Sequence, residues 1–92
     1  MKFDRDSLYD DLPVTDYYKG RVLDAVTIKR GGNWWSAILL ISDPRSNSNF
    51  INFYKWQHTD KGWKTRNRFK ITKLKDLEKV KEILNEFSDK MD

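Results

Sequence analysis

Four cations recur at every second position between residues 63 and 71: Lys64, Arg66, Arg68 and Lys70. The residues that alternate with them, Trp63, Thr65, Asn67, Phe69 and Ile71, carry no charge. Successive side chains of an extended chain point to opposite faces, so a strand here sets all the cations in one row. Like charges in a row repel, and a face kept only for solubility would mix signs. Such a row suits phosphate groups, which guanidinium ions can hold through paired hydrogen bonds.

A neighbouring strand adds a second chemistry. Residues 49–57 (NFINFYKWQ) alternate as a strand, and Thr59-Asp60-Lys61-Gly62 reads as the turn after it. A loop of Asp60, Lys61 and Gly62 pairs Thr59 with Trp63. That register sets Phe53 against Phe69 and Ile51 against Ile71, which makes one apolar face. It sets Trp56 against Arg66, Tyr54 against Arg68 and Asn52 against Lys70 on the other, with Phe50 extending the row. A slip of one residue would scramble both faces. Cations serve phosphates, and flat rings serve unpaired bases, at about 1–3 kcal/mol per stacked base. Duplex DNA hides the flat faces of its bases, so the combination favours single strands. The candidate phosphate contacts are Lys64, Arg66, Arg68, Lys70 and Lys29. The candidate stacking residues are Trp56, Tyr54, Trp34 and Phe50, with Ser36 widening the face.

Other elements must position this face. Residues 20–30 are rich in Val, Leu, Thr and Ile and read as a strand. Gly31-Gly32 suits a two-residue hairpin, and residues 33–42 (NWWSAILLIS) form the return strand. Pairing Arg30 with Asn33 sets Ile28 against Trp35 and Lys29 against Trp34. Val22, Val26, Ala37, Leu39 and Ile41 then share one face. Of the two tryptophans, one is expected in the core and one exposed. Asp24 falls near the core face, an odd place for a carboxylate. Residues 43–48 read as a loop that a ligand could order.

Leu74, Leu77, Val80, Leu84, Phe87 and Met91 recur at spacings of three and four, with Ile83 widening the stripe, as in an amphipathic helix. Asp76 and Glu78 lie near its start, and Thr72 is a candidate cap. The expected fold is α+β: a four-stranded antiparallel sheet of two hairpins, with the C-terminal helix packed on one face. The run Leu77, Val80, Leu84, Phe87, Met91 also resembles a short coiled-coil seam. A stripe wider than one sheet can cover favours a homodimer through this helix. Two binding faces would then act on one strand.

Ninety-two residues bound the chain to one domain. The net charge of +4 conceals an asymmetry: residues 1–18 carry −3 and residues 19–92 carry +7. Residues 1–18 are expected to form an acidic, partly flexible arm docked through Leu8, Tyr9 and Leu12, with residues 19–92 as a single nucleic-acid-binding domain. A basic body implies a polyanionic partner. Absent cysteine removes disulfides, thiolate nucleophiles and Cys zinc sites. No apolar run approaches the roughly 20 residues of a membrane helix, and the N-terminus lacks the apolar stretch of a signal peptide. The expected address is cytoplasmic, nucleoid or nuclear, not secreted, with no membrane partner. His58, the single histidine, sits beside a turn as a surface residue would. No Walker loop, dinucleotide fingerprint or HExxH occurs. No catalytic residue, metal site or cofactor is expected.

The order of four strands and a helix, ending in INFYKWQHTDKGWKTRNRFKITKLKDLEKVKEIL, resembles the transcriptional coactivator family named for positive cofactor four. It is also similar to the archaeal ThermoDBP-related single-strand binders and, more distantly, to the plant Whirly proteins. The similarity is best over residues 50–84. It implies that strand contacts at Tyr54, Trp56, Lys64, Arg66, Arg68 and Lys70 engage single-stranded DNA, and that the helix dimerises. The family's usual Lys-Gly-Ile step before the helix is Phe69-Lys70-Ile71 here, so its glycine is missing. The expectation is a non-enzymatic single-stranded DNA-binding protein with weak sequence preference, acting in replication, repair or transcription. An RNA- or duplex-binding chromatin protein and a protein-interaction module with exposed aromatics are the alternatives. The residues do not decide DNA over RNA, because none can be assigned to a 2′-hydroxyl.

Overall fold

A computed structural model describes residues 4–5 and 12–91 of the chain. The strands are β1 (Asp4–Arg5), β2 (Val22–Gly31), β3 (Trp34–Asp43), β4 (Ser48–Thr59) and β5 (Gly62–Ile71), followed by helix α1 (Leu74–Ser88). All strands join one antiparallel sheet in the order β1-β2-β3-β4-β5. The fold is α+β, with four long antiparallel strands and one C-terminal helix, as expected; β1 adds two residues at the edge.

Both hairpin turns differ from the expected ones by one residue. Gly31 pairs with Trp34, so the first turn is Gly32-Asn33, with Gly32 at φ +58°. That φ is open to glycine without strain. The shift frees the Asn33 carbonyl to accept the backbone N–H of His58 at 2.7 Å, which ties the turn to β4. Arg30, not Ile28, therefore lies opposite Trp35, and Lys29 lies opposite Ser36. In the second turn Thr59 pairs with Gly62, leaving Asp60-Lys61 as the loop. The Thr59 hydroxyl donates to the Gly62 carbonyl at 2.8 Å and accepts from the Lys61 N–H at 3.2 Å.

One face of the sheet is the core. Trp35, Ala37, Leu39 and Ile41 of β3 and Phe50, Asn52, Tyr54 and Trp56 of β4 are all buried on it. Leu12 and Val14 are buried against this cluster, with Tyr18 packed at its margin. The arm expected over residues 1–18 is thus part of the domain from Leu12 onward. Leu8 and Tyr9 lie outside the described residues. In β2, Ala25 and Thr27 share the core face, while Val26 pairs with Ile38 on the other side. The cause is a pair of register shifts, between Val22 and Asp24 and between Thr27 and Lys29. The Trp35 indole N–H donates to the Thr27 hydroxyl at 3.0 Å, so the buried ring keeps its polar atom satisfied. Asp24 falls opposite Leu40, off the core face, and accepts the Ala25 N–H at 2.8 Å.

The helix does not pack on a face of the sheet, contrary to expectation. No residue of α1 is buried, and its main contacts with the strands are to β5. Only two residues, Thr72 and Lys73, separate β5 from α1. Leu84, Phe87 and Ile83 stay exposed, Leu77 and Val80 are half-buried, and Met91 lies beyond the helix end. Lys73, not Thr72, holds the N-cap position and makes no side-chain capping bond. Lys73→Ser should therefore stabilise the helix by about 1 kcal/mol, since a hydroxyl there can accept one of the free N–H groups of the first turn. Thermal denaturation followed by circular dichroism at 222 nm tests this, and an unchanged midpoint counts against it. Among the described residues no helix is long and apolar enough to cross a membrane.

Candidate nucleic-acid interface

A β-bulge divides the row of cations. Tyr54 pairs with Arg68 and Asn52 with Lys70, as the apolar pairs Phe53–Phe69 and Ile51–Ile71 require. Lys55 then pairs with Asn67, but Trp56 pairs with Thr65, so Arg66 is the extra residue. Inserting one residue reverses the facing of everything beyond it. Lys64 consequently sits opposite Gln57, and the Arg66 Nε donates to the Gln57 carbonyl Oε1 at 2.8 Å. Lys64 and Arg66 lie on the open face of the sheet, whereas Arg68 and Lys70 border the core face. The expected single row does not exist.

Three of the expected stacking residues are inside. Trp56 is 0 % exposed, Phe50 and Tyr54 are nearly as buried, and none can meet a base in this conformation. The Trp56 ring stacks on Tyr54 at 5.0 Å with planes 14° apart and lies 4.9 Å from Trp35. The sequence leaves the two rows of β4 hard to rank, because Phe-Asn-Tyr-Trp and Ile-Phe-Lys-Gln both carry apolar residues. The larger, more aromatic row became the core once Leu12 and Val14 covered it.

The open face has two halves. Near the β2–β3 turn, Trp34 is 42 % exposed, the other tryptophan of its pair being buried as expected. Lys29, Gly31, Trp34, Ser36 and Lys55 line a concavity of about 350 Å³. The Lys55 ammonium lies 4.9 Å from the centroid of the Trp34 ring. Ladder pairing continues the patch from Trp34 to Gln57 to Lys64, and from Lys55 to Asn67. Lys29, Lys55, Lys64 and Arg66 make no ion pair among the described residues. Lys55, Gln57 and Asn67 belong to this patch and were not singled out from the sequence. Lys55 shares its row with Ile51 and Phe53, the row expected in the core, and its charge is the sign in the sequence that this row faces outward.

The other half is apolar. Val26, Ile38, Leu40 and Ile51 line a second concavity of about 370 Å³, rimmed by Asp24. Phe69, 58 % exposed, lies opposite Phe53 on the same face, their ring centroids 6.2 Å apart. The start of α1 adjoins this half through Leu74 and Leu77. His58 is exposed, with its ring edge-on to Trp63 at 5.0 Å. Nothing in the protein-family models, the curated proteins or the solved structures matches this chain.

Proposed function

We propose that the chain binds single-stranded DNA, with weak sequence preference, on the basic half of its open sheet face. The observation that carries this reading is one exposed indole, Trp34, among four cations without carboxylate partners in the described residues. Lys29, Lys55, Lys64 and Arg66 neutralise phosphates, and Trp34 offers a flat surface to a base. Gln57 holds the Arg66 guanidinium in place over the sheet. Arg68 and Lys70, on the other side of β5, take no part in this surface. The protein acts as a homodimer, because the apolar half of the same face and the stripe of α1 are both left uncovered by the described residues of one copy.

The test is oligonucleotide binding at several salt concentrations. Affinity should fall with salt at about 0.7 log units per log unit for each phosphate neutralised. Lys64→Ala with Arg66→Ala removes two contacts, reduces that slope by about 1.4 and weakens binding roughly 25-fold at 0.1 M salt. Trp34→Ala should lose about 1–3 kcal/mol with little change in slope. A double variant that binds as the parent does, with the same salt dependence, rules the surface out. Tighter binding to duplex DNA or to RNA in competition would redirect the proposal to those polymers.

A further inference from the structure

The core face is not fully closed. Beside Tyr18 it leaves a concavity of about 310 Å³ lined by Tyr18, Asn52, Arg68 and Lys70. Asn52 is 3 % exposed, and among the described residues it is the buried polar side chain within the aromatic core. Its amide Nδ2 donates to the Tyr54 hydroxyl at 3.2 Å, while its Oδ1 has no hydrogen-bond partner among the described residues. A half-paired amide at this depth is unfavourable, and an apolar side chain of similar size would pack there without that penalty. Two cations flank it. Lys70 pairs directly with Asn52, and Arg68 with Tyr54. The Lys70 ammonium lies 4.4 Å from the centroid of the Phe50 ring. Neither cation makes an ion pair among the described residues.

We propose that this concavity is a phosphate-binding site, in which Arg68 and Lys70 hold the phosphate oxygens and the Asn52 amide, closed to solvent in this conformation, donates to one once the floor relaxes to admit it. The two ends of an amide are nearly equal in size, so a half-turn of the group is sterically neutral. After that turn the Tyr54 hydroxyl donates to Oδ1 and the Nδ2 faces the phosphate. Burial pushes the Tyr54 phenol above its ordinary value, against an opposing effect of Arg68, so its proton stays in place to be donated. The phosphate can come from a nucleic-acid strand or from a free nucleotide. The site faces the opposite side of edge strand β5 from Trp34, so it stands whether or not that surface binds DNA.

The experiment is a titration of the full chain with inorganic phosphate, then with a mononucleotide and with a short single-stranded oligonucleotide, followed through the side-chain amide signals of Asn52 in ¹⁵N-correlated NMR spectra. The signals should shift and saturate with each probe; tighter binding of the oligonucleotide identifies a strand as the source, and tighter binding of the mononucleotide identifies a free nucleotide. Arg68→Gln with Lys70→Gln, both exposed positions, should weaken binding by about tenfold for each contact removed and leave the rest of the spectrum unchanged. Lys64→Ala with Arg66→Ala should not alter this titration, which separates the two sites. Asn52 signals that stay fixed, or that move equally in the Arg68→Gln, Lys70→Gln variant, overturn the proposal.

Discussion

Trp56→Ala should destabilise the whole fold, not merely weaken a ligand contact. The ring is 0 % exposed and packs between Trp35 and Tyr54, at 4.9 Å and 5.0 Å between centroids. Truncation removes one of the two largest fully buried side chains of the core and leaves a void that two rigid aromatic neighbours cannot fill. Such substitutions cost about 3–5 kcal/mol. A domain of this size has only about 5–15 kcal/mol in total. The melting temperature should fall by roughly 12–40 °C. Trp56→Phe sharpens the test. The indole N–H has no hydrogen-bond partner among the described residues, so phenylalanine discards an unsatisfied donor and keeps most of the packing. It should therefore be tolerated far better than alanine. Thermal denaturation of both variants decides. A Trp56→Ala protein that melts with the parent but no longer binds oligonucleotides would mean that this ring faces solvent and stacks on bases.

Leu84→Glu with Phe87→Glu should convert a dimer into a monomer. An isolated helix of fifteen residues is marginal in water, and α1 buries none of its residues within one copy. Its stripe exposes Leu84 and Phe87 at 55 % and 54 %. The same chain exposes an apolar sheet half beside the helix start, along Ile51, Leu40, Ile38 and Val26. Each surface matches the other in chemistry, and a two-fold arrangement can cover both at once. Apolar area removed from water contributes about 25 cal/mol per Å², and stable interfaces bury roughly 1,200–2,000 Å² in all. Two buried carboxylates would oppose that gain strongly. Light scattering after size exclusion should give the parent twice the 11.1 kDa chain mass and the variant the single mass, with less helical signal. A parent that stays monomeric with its helix intact would remove the dimer from the proposal.

Much of the architecture was legible in the residues alone. Alternation with period two marks β4 and β5, and the apolar pairs Ile51–Ile71 and Phe53–Phe69 fix their register near the helix. The three-four spacing from Leu77 to Phe87 marks α1, because only a helix brings those positions to one side. Local periodicity decides such features, and neighbouring residues are enough to express it.

Tertiary structure decided which side of the sheet became the interior. Both rows of β4 carry apolar side chains, and the choice rests on Leu12 and Val14, far away in sequence, which cover the row of Phe50, Tyr54 and Trp56. It also decided where the cations of β5 point. The one-residue bulge at Arg66 lets Trp56 and Trp63 share the core side while Tyr54 keeps its pairing with Arg68. That accommodation carries Lys64 and Arg66 to the open face and leaves Arg68 and Lys70 behind. The four alternating cations are plain in the sequence. Their division between two faces follows from packing two tryptophans across the sheet, which no local pattern encodes.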